Sequence, residues 1–411
     1  MQDPAEFQLE KGNATPEAIE LAKRNLGEAY EKIMKVIEYY MDMPKEQLQI
    51  VSTWIVGTYF HDCFSTYPFL FINAMRGSGK TRLLRLIAHM AKGGNGEVQT
   101  GITEAVLFRT KGILVLDECE SIASKDKAIL REYLNACYKK GGAVKRTKKA
   151  KFKGEDEYVV ETFHPYKPIA LANIFGMDEV LGDRCITFVL EKSNNPAKTK
   201  KLEDFEENPE IEEIKRTLRQ SSVVCAVSLR KRTNQTAWNS YINAKYNDIY
   251  TLTTYTTHTT LTTQNKIEED DFFNKIDAIG IDGRNFELLF PLLIVAKYLD
   301  WAQFEKLLEI GKDLMKIKKE DEFAESRDVL VYEFVSRQEG GLQYHALKEL
   351  CQKFKAFVGE DEWINEKWLG RALKRLNLVL DKRREASGRF VQLNISKAND
   401  KARIFRSGDS G

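Results

Sequence analysis

The pattern of apolar and polar positions divides the chain into short apolar runs and longer segments with helical spacing. The apolar runs have the length of buried strands and lie at residues 69–73, 113–116, 169–172 and 185–190. Between them, apolar residues recur three or four positions apart, which predicts helices. Strands that alternate with helices over residues 45–192 predict an α/β fold with a mainly parallel sheet and helices on both faces.

Helical patterns dominate the chain on both sides of this core. Residues 16–40 and 45–59 predict two helices, separated at Pro44. After the core, helical spacing returns in residues 211–231, 285–299 and 301–318. Two segments lack a core pattern, and we expect them to be a flexible lead and an exposed loop: Met1–Glu10 and the threonine-rich Thr251–Thr263.

The C-terminal part of the chain predicts three helices, over residues 325–338, 345–358 and 365–376, followed by a two-stranded ribbon. This order is typical of a winged-helix domain. Asn365 caps the third helix, whose apolar face carries Leu369, Leu373 and Leu376. The opposite face and the ribbon are basic, which predicts DNA contacts by Arg371, Lys374, Arg375, Lys382, Arg383 and Arg384. Docking of another protein is the alternative use of this surface.

A glycine-rich turn joins the first apolar run to the helix that follows it. It consists of Gly77, Ser78, Gly79, Lys80 and Thr81 and predicts a phosphate-binding loop, because glycines let backbone N–H groups curl around an anion. Lys80 can reach the outer phosphates of a nucleotide, and Thr81 can hold Mg²⁺ through its hydroxyl group. The motif departs from its usual form at Ala74, where a glycine is expected. A strand-to-helix turn without a ligand is the alternative.

Two carboxylates, Asp117 and Glu118, follow the second apolar run. A parallel strand beside the first would bring Asp117 to the same edge of the sheet as Lys80. Asp117 could then hold Mg²⁺ through water, and Glu118 could orient or deprotonate an attacking water molecule. Exposed carboxylates at a strand end are common, but the two motifs in this order favour nucleotide hydrolysis.

Overall composition narrows the class of protein only slightly. The 411 residues have a formal net charge of +2, which favours no particular partner. The six cysteines are scattered without a Cys-x-x-Cys pair, which favours free thiols in a reducing cytosol over disulfides or zinc. The most apolar long run, Phe286–Leu299, is too short for a membrane span and contains Pro291. We therefore predict a cytoplasmic protein without a membrane partner.

Local charge is more informative than the total. Lys139–Lys153 contains eight basic residues among fifteen and no acidic one, and together with Tyr158–Phe163 it predicts a hairpin with one basic arm. Clustered Lys and Arg side chains neutralise nucleic-acid phosphates without reading sequence. The predicted DNA contacts are Lys145, Arg146, Lys148, Lys149, Lys151 and Lys153. A solvated loop is the alternative.

These motifs together resemble those of AAA+ ATPases. They are most similar to the helicase-type ATPases encoded with phage, plasmid and archaeal replication genes, which share features with superfamily-three and minichromosome-maintenance helicases. The resemblance extends over residues 45–300 and rests on Gly77–Leu84, Leu116–Glu118, Gly141–Arg146, Pro168–Asn173 and Leu181–Ile186. It implies ATP and Mg²⁺ as cofactors. With the element pattern it predicts an N-terminal helical extension (1–44), a P-loop AAA+ ATPase core (45–192), an α-helical lid region (193–320) and a winged-helix domain with a flexible tail (321–411).

The resemblance also implies roles for three further residues. Asn173 looks like the polar sensor that helps to place the attacking water, and Arg184 looks like the arginine finger that reaches the nucleotide of a neighbouring subunit. Arg284 looks like the lid arginine that contacts phosphate, with Arg230 and Arg232 as competitors. An ordinary strand-end Asn and a surface ion-pair partner are the alternatives for Asn173 and Arg184. The basic arm lies where these helicases insert a pore hairpin.

The function implied by the resemblance is an ATP-hydrolysing DNA motor, a replicative helicase that forms a homo-oligomeric, hexameric ring on single-stranded DNA. An ATP-driven DNA translocase that does not separate strands is one alternative. A nucleotide-switched initiator or scaffold, which binds DNA and hydrolyses ATP slowly, is another. Stimulation of the ATPase by single-stranded DNA would distinguish a motor from a switch.

Overall fold

The fold is described by a computed structural model that covers residues 15–118, 128–152, 155–173, 179–231, 238–239, 241–242, 263–325, 327–338, 343–359, 364–385 and 388–406. The predictions made for Met1–Glu10, residues 251–262, Lys153 and Arg232 lie outside these ranges. The chain divides into two compact units, Met1–Lys312 and Asp313–Gly411. In the described part of the chain, no helix has both the length and the apolar character that a membrane crossing needs.

The first unit combines a central sheet with many helices. Its elements up to the end of the sheet are α1 (Pro16–Tyr40), α2 (Lys45–Thr58), β1 (Phe69–Ala74), α3 (Lys80–Met90), α4 (Glu104–Arg109), β2 (Leu114–Leu116), α5 (Ala128–Ala136), β3 (Val144–Phe152), β4 (Glu155–Phe163), β5 (Ile169–Asn173), α6 (Glu179–Gly182) and β6 (Cys185–Leu190). The helices that follow are α7 (Pro196–Thr199), α8 (Pro209–Lys231), α9 (Thr263–Ala278), α10 (Gly283–Leu299) and α11 (Trp301–Glu325), which runs across the boundary between the units.

The central sheet has four parallel strands in the order β2-β5-β1-β6. The predicted parallel sheet is confirmed, but β5 lies between β1 and β2, which we had expected to be neighbours. The strands are almost continuously apolar because they are buried, and Phe69, Leu70 and Ile72 of β1 have no exposed surface. All four strands end at one edge, so the loops that follow them meet there.

Helix α1 packs along α8. Thr15 caps α1 by accepting a hydrogen bond from the backbone N–H of Ala18 at 3.3 Å, and the helix buries Leu26, Ile33 and Ile37. The predicted helix over residues 16–40 is confirmed. The expected N-terminal extension and the first long helix of the expected lid region therefore pack on each other within one unit.

A two-stranded antiparallel hairpin, β3-β4, is separate from the central sheet. Its register runs from Val144 opposite Phe163 to Phe152 opposite Glu155, so the predicted hairpin is confirmed. The basic strand β3 pairs with a strand that is rich in acidic residues: Glu155, Asp156, Glu157 and Glu161. The register places acidic positions opposite basic ones, Glu161 opposite Arg146 and Asp156 opposite Lys151.

The second unit is a smaller bundle of helices on an antiparallel sheet. After α11 it contains α12 (Arg327–Ser336), β7 (Tyr344–Ala346), α13 (Leu347–Val358), α14 (Glu366–Arg375), β8 (Val379–Glu385), β9 (Gly388–Leu393) and α15 (Ile395–Arg406). The sheet has three strands in the order β7-β9-β8. The ribbon is thus not two-stranded as predicted, and the helix predicted from His345 begins at Leu347, because Tyr344–Ala346 pairs with β9. A strand of three residues is too short to show alternation.

The core of the second unit is formed by side chains from nearly all of its elements. Phe354, Leu369, Leu373 and Leu393 are almost completely buried in it. Asn365 caps α14 as predicted, by accepting a hydrogen bond from the N–H of Trp368 at 2.9 Å. Where we expected a flexible tail, α15 forms a helix that packs on α12.

Candidate nucleotide-binding site

The loop between β1 and α3 has the backbone geometry of a phosphate-binding turn. Gly77 and Gly79 have φ angles of 79° and 91°, which residues with a Cβ rarely adopt. The Ser78 hydroxyl donates to the Met75 carbonyl at 2.8 Å and closes the turn. Ala74 ends β1 and is 2% exposed, so the departure from the usual motif falls in the strand and not in the curved part of the loop.

Three predicted residues meet beside this loop. Lys80 Nζ lies 2.9 Å from Asp117 Oδ1, and Thr81 Oγ1 donates to Asp117 Oδ2 at 2.6 Å. The Lys80 and Asp117 side chains are only 10% and 6% exposed, so each charge depends on the other for compensation. A hydroxyl and a carboxylate are hard oxygen ligands that suit Mg²⁺, and the ammonium and the loop N–H groups suit phosphate. The residues present therefore fit a nucleotide with Mg²⁺.

Glu118 stands directly after Asp117 in an unusual conformation. Its φ is 56°, in the left-handed region, and its side chain is exposed. The Glu118 N–H donates to Asp117 Oδ1 at 2.8 Å, which helps to hold this conformation. Backbone conformations of this kind are concentrated at functional sites. Glu118 therefore stands at the sheet edge where Asp117 lies, with an exposed side chain.

Asn173 ends β5 and is 3% exposed. Its backbone is in register with Asn73 of β1 on one side, while β2 flanks β5 on the other. The strand order therefore places Asn173 between the phosphate-binding loop and Asp117. A side chain in this position can contact both a bound nucleotide and a water molecule.

Arg184 lies at the other edge of the sheet. Its carbonyl accepts a hydrogen bond from the N–H of Phe69 at 3.0 Å, at the amino end of β1. The loop follows the carboxyl end of that six-residue strand, so the two edges are roughly 20 Å apart at about 3.3 Å per residue. The Arg184 guanidinium donates to the Val180 carbonyl and lies 5.9 Å from the ring centre of Tyr138.

Arg284 lies at this amino edge as well. Its Nε is 3.1 Å from Asp183 Oδ2, its guanidinium carbon is 5.0 Å from the ring centre of Tyr138, and it also pairs with Glu287. The structure does not bring Arg284 to the phosphate-binding loop of its own chain, where a lid arginine was expected. Tyr138, on which both arginines lie, is largely buried, which raises the pKa of its hydroxyl to about 12.

Arg146 anchors the basic hairpin to helices α4 and α5 of the same unit. Its guanidinium pairs with Glu104 and lies 5.3 Å and 5.5 Å from the ring centres of Phe108 and Tyr133. Phe163 of β4, a same-face neighbour, stacks on Phe108 with ring centres 4.9 Å apart. The predicted DNA contact Arg146 is therefore used inside the protein, between β3, α4 and α5.

The alternate positions of the hairpin have different surroundings. Lys145 is exposed, and Tyr158 and Val160 of β4 are 67% and 59% exposed. The backbone register pairs Lys149 with Tyr158 and Lys151 with Asp156, at positions an even number of residues from Lys145, and Lys148 stands two residues from Arg146. From strand alternation we expect the basic residues to be divided between the face that Arg146 anchors and the face that carries Lys145.

The six predicted DNA contacts of the second unit are all exposed: Arg371, Lys374, Arg375, Lys382, Arg383 and Arg384. On α14 they lie opposite Leu369 and Leu373, which are 0% and 1% exposed, as predicted from the helical spacing. On β8, the guanidinium carbon of Arg383 is 3.9 Å from the ring centre of Tyr344. Arg383 is therefore partly occupied by an aromatic side chain.

Comparison with known proteins does not assign the chain to a family. No family model matches it, and no curated protein matches it. The chain is similar to the active helicase Cch of SCCmec type IV at 12% identity, over 85% of this chain and 67% of that chain, with a TM-score of 0.39. It is also similar to the NrS-1 C-terminal region in an apo form, at 14% identity over 89% of this chain and 75% of that chain, with a TM-score of 0.31. Drosophila ORC bound to DNA matches at 11% identity, over 97% and 94%, with a TM-score of 0.20. Similarities at such low sequence identities and TM-scores do not indicate an activity for this chain.

Two residues beside the phosphate-binding loop carry no signal in the sequence. A Cβ at Gly79 would lie 3.1 Å from the Met41 methyl group, and a Cβ at Gly77 would lie 4.0 Å from Lys192 Nζ. Met41 follows α1, and Lys192 follows β6. These segments are far from the loop in sequence, so only the fold brings them to it.

Proposed function

We propose that the chain is an AAA+ ATPase that hydrolyses ATP to move on DNA, acting as a ring-forming replicative helicase. The observation that carries the ATPase part is the contact of Lys80 and Thr81 with Asp117, at 2.9 Å and 2.6 Å, beside the glycine-rich turn. Lys80 and Thr81 belong to one segment and Asp117 to another, and only the parallel sheet makes the two segments neighbours.

Each residue at this edge has a proposed role. Lys80 and the N–H groups of Gly77, Ser78 and Gly79 bind phosphate oxygens, and Thr81 and Asp117 hold Mg²⁺. When bound, Mg²⁺ neutralises phosphate charge. Glu118 accepts a proton from the attacking water, and Asn173 orients that water by a hydrogen bond. Lys80 and Asp117 can separate to receive the nucleotide because each finds a new partner of opposite charge.

We assign Arg184 to the nucleotide of a neighbouring subunit. It lies at the edge opposite to its own loop, close to Phe69, so a role in hydrolysis requires a second copy of the chain. Arg284 shares Tyr138 with it and is proposed to face the same neighbour. A site that needs a neighbour's arginine favours a closed ring, for which a hexamer is the proposed form.

For DNA we propose contacts from both units. In the first unit, the exposed hairpin face carries Lys145 and the exposed Tyr158, and charge with an aromatic ring suits single strands. In the second unit, the order helix, strand, helix, helix, strand, strand supports a winged helix. There, α14 would place Arg371, Lys374 and Arg375 against phosphates.

The test is ATPase activity with Mg²⁺, measured with and without single-stranded DNA, together with electron microscopy of the assembly. A motor is expected to show rings and an ATPase stimulated by DNA. Stimulated ATPase without strand separation on a forked duplex would favour the translocase. Tight ATP binding with little turnover, unchanged by DNA, would contradict the motor and favour the nucleotide-switched initiator.

A further inference from the structure

Lys192 is a cation that the fold brings to the phosphate-binding loop from a distant segment, in addition to Lys80 and to the exposed Arg76 of the loop itself. Its Nζ would lie 4.0 Å, and its Cε 3.8 Å, from a Cβ placed on Gly77. It follows β6, the strand that flanks β1 on the side away from β5. Lys192 therefore approaches the loop from the opposite side to Asp117 and Asn173.

The ammonium of Lys192 is available to a ligand, in contrast to that of Lys80. Lys192 is exposed, and in the described part of the chain no hydrogen bond or ion pair engages its side chain. Lys80, by comparison, is 10% exposed and paired with Asp117. Lys192 therefore adds uncompensated positive charge beside the turn, next to the exposed Arg76 within it.

The backbone that carries Lys192 is fixed to the segment after α1. The Ser193 hydroxyl donates to Asp42 Oδ2 at 2.6 Å and accepts from the Asn195 N–H at 3.0 Å. Arg82 of α3 donates to the carbonyls of Lys198 and Lys201 at 2.9 Å and 2.7 Å. Lys192 is thus held between β6 and a segment that is fixed by hydrogen bonds, so its backbone loses little conformational freedom when the side chain contacts a ligand.

The strand order gives the direction of a nucleotide along this edge. Asp117 and Glu118 follow β2 and Asn173 ends β5, so the phosphate that reacts lies on that side of β1. The opposite end of the nucleotide then lies toward β6, where Lys192 stands. A cation at this position meets the phosphates that remain in the product.

We propose that Lys192 binds the α- or β-phosphate of a nucleoside di- or triphosphate and contributes affinity for both. This inference rests on the proposed nucleotide binding at Lys80. Lys192 adds binding that is equal before and after hydrolysis, since the phosphates it contacts do not react. Such a residue affects KM rather than kcat.

The test measures affinity of the full chain for ADP and for a non-hydrolysable ATP analogue by calorimetry, with Mg²⁺. Lys192→Ala is expected to weaken both by a similar factor, about tenfold for one charge-assisted hydrogen bond, and Lys192→Arg to restore most of the loss. Adenosine, which has no phosphate, is expected to show no difference. Lys200→Ala, at an exposed lysine of the same segment, is the matched control and is expected to leave both affinities unchanged.

Two outcomes would overturn the proposal while nucleotide binding at Lys80 stands. The first is unchanged affinity in Lys192→Ala when Lys80→Ala loses binding. The second is a loss for the ATP analogue alone, which would place Lys192 at the reacting phosphate. If Lys80→Ala itself kept full affinity, the proposed nucleotide site would be wrong, and the role of Lys192 would fall with it.

Discussion

The sheet edge that carries the predicted phosphate-binding loop, called here the phosphate-binding edge, and the basic hairpin both stand out in the sequence, but the fold places their residues differently. At the edge, Lys80, Thr81 and Asp117 come together as their motifs predict. In the hairpin, neighbours in one charge run separate: Arg146 is half-buried and packs on aromatic rings, while Lys145 is exposed. The turn was predictable from its own glycines and the contact with Asp117 from parallel strands that end at one edge, whereas a run of like charges does not show which face of a strand each residue occupies.

The reason lies in what each pattern depends on. The loop is shaped by its own glycines and by the helix that follows, so its geometry is local. The hairpin depends on alternation and on the partner strand, which brings Glu161 opposite Arg146. A positive segment in a strand has two faces, and its charge must be counted for each face separately.

The largest expected effect concerns Arg184, the proposed arginine finger. Arg184→Ala is expected to lower kcat of the assembled protein by about 10³-fold or more, as loss of an arginine finger does. Nucleotide affinity of isolated subunits should not change, because Arg184 is far from its own loop. The measurements are ATPase rate and nucleotide affinity, each at known oligomeric state.

Mixing experiments give this prediction its control. Arg184→Ala and Lys80→Ala subunits each retain what the other lacks, so mixed interfaces are expected to regain ATPase activity. Assemblies shown to contain both variants, but inactive at every mixing ratio, would contradict an arginine that acts on the neighbour's nucleotide.

Glu118→Gln is expected to separate nucleotide binding from hydrolysis at the phosphate-binding edge. It is expected to keep nucleotide binding and lower kcat by about 10²- to 10³-fold, because the proposed water-activating carboxylate is lost. Lys80→Ala, in contrast, should lose nucleotide affinity itself. Turnover near normal in Glu118→Gln, measured as phosphate release under saturating ATP, would show that another group is the base.

The hairpin is predicted to have two separable faces. Replacing Lys145, Lys149 and Lys151 by Ala is expected to lower the slope of log affinity against log salt by roughly 2 to 3, at about 0.7–0.9 for each lost phosphate contact. Arg146→Ala is expected to leave that slope unchanged and to lower the free energy of unfolding by about 1 kcal/mol, since it removes contacts with Phe108 and Tyr133. Salt titrations of single-stranded DNA binding and denaturant unfolding measure the two quantities.

Equal salt slopes for the two hairpin variants would contradict the prediction that only one face of the hairpin contacts DNA. A slope unchanged in both would mean that the hairpin is a solvated element. The second unit would then be the main DNA contact.

The smallest predicted effect lies in the second unit. Lys374→Ala on α14 is expected to lower the salt slope by about 0.7–0.9, one contact's worth, without changing stability, because the side chain is exposed. Measured in the wild type and in the triple hairpin variant, the change should be the same if the two regions bind DNA independently. A change that appears only in one background would show that they are coupled.

Much of the fold follows from periodicity, and the exceptions have physical causes. Helix α1 and the buried strands were predicted because their patterns are long or strongly apolar. Strand β7 was missed because three residues cannot show alternation, and the insertion of β5 between β1 and β2 was missed because strand order depends on long-range pairing.

The candidate site divides in the same way. The phosphate-binding loop and its carboxylates were visible as motifs. Lys192 was invisible because its approach to Gly77 is created only by the fold, and the edge on which Arg284 lies follows from packing on Tyr138 and Asp183.

Glu118 carries a consequence for how this protein can vary. A left-handed φ of 56° favours glycine or asparagine, and holding a glutamate there costs about 1 kcal/mol. Selection for thermal stability alone would favour glycine at position 118, and the proposed base would then be lost. The Glu118→Gly variant is thus expected to melt at a higher temperature and to hydrolyse ATP poorly. Thermal stability and ATP turnover therefore place opposite demands on the residue at this backbone torsion.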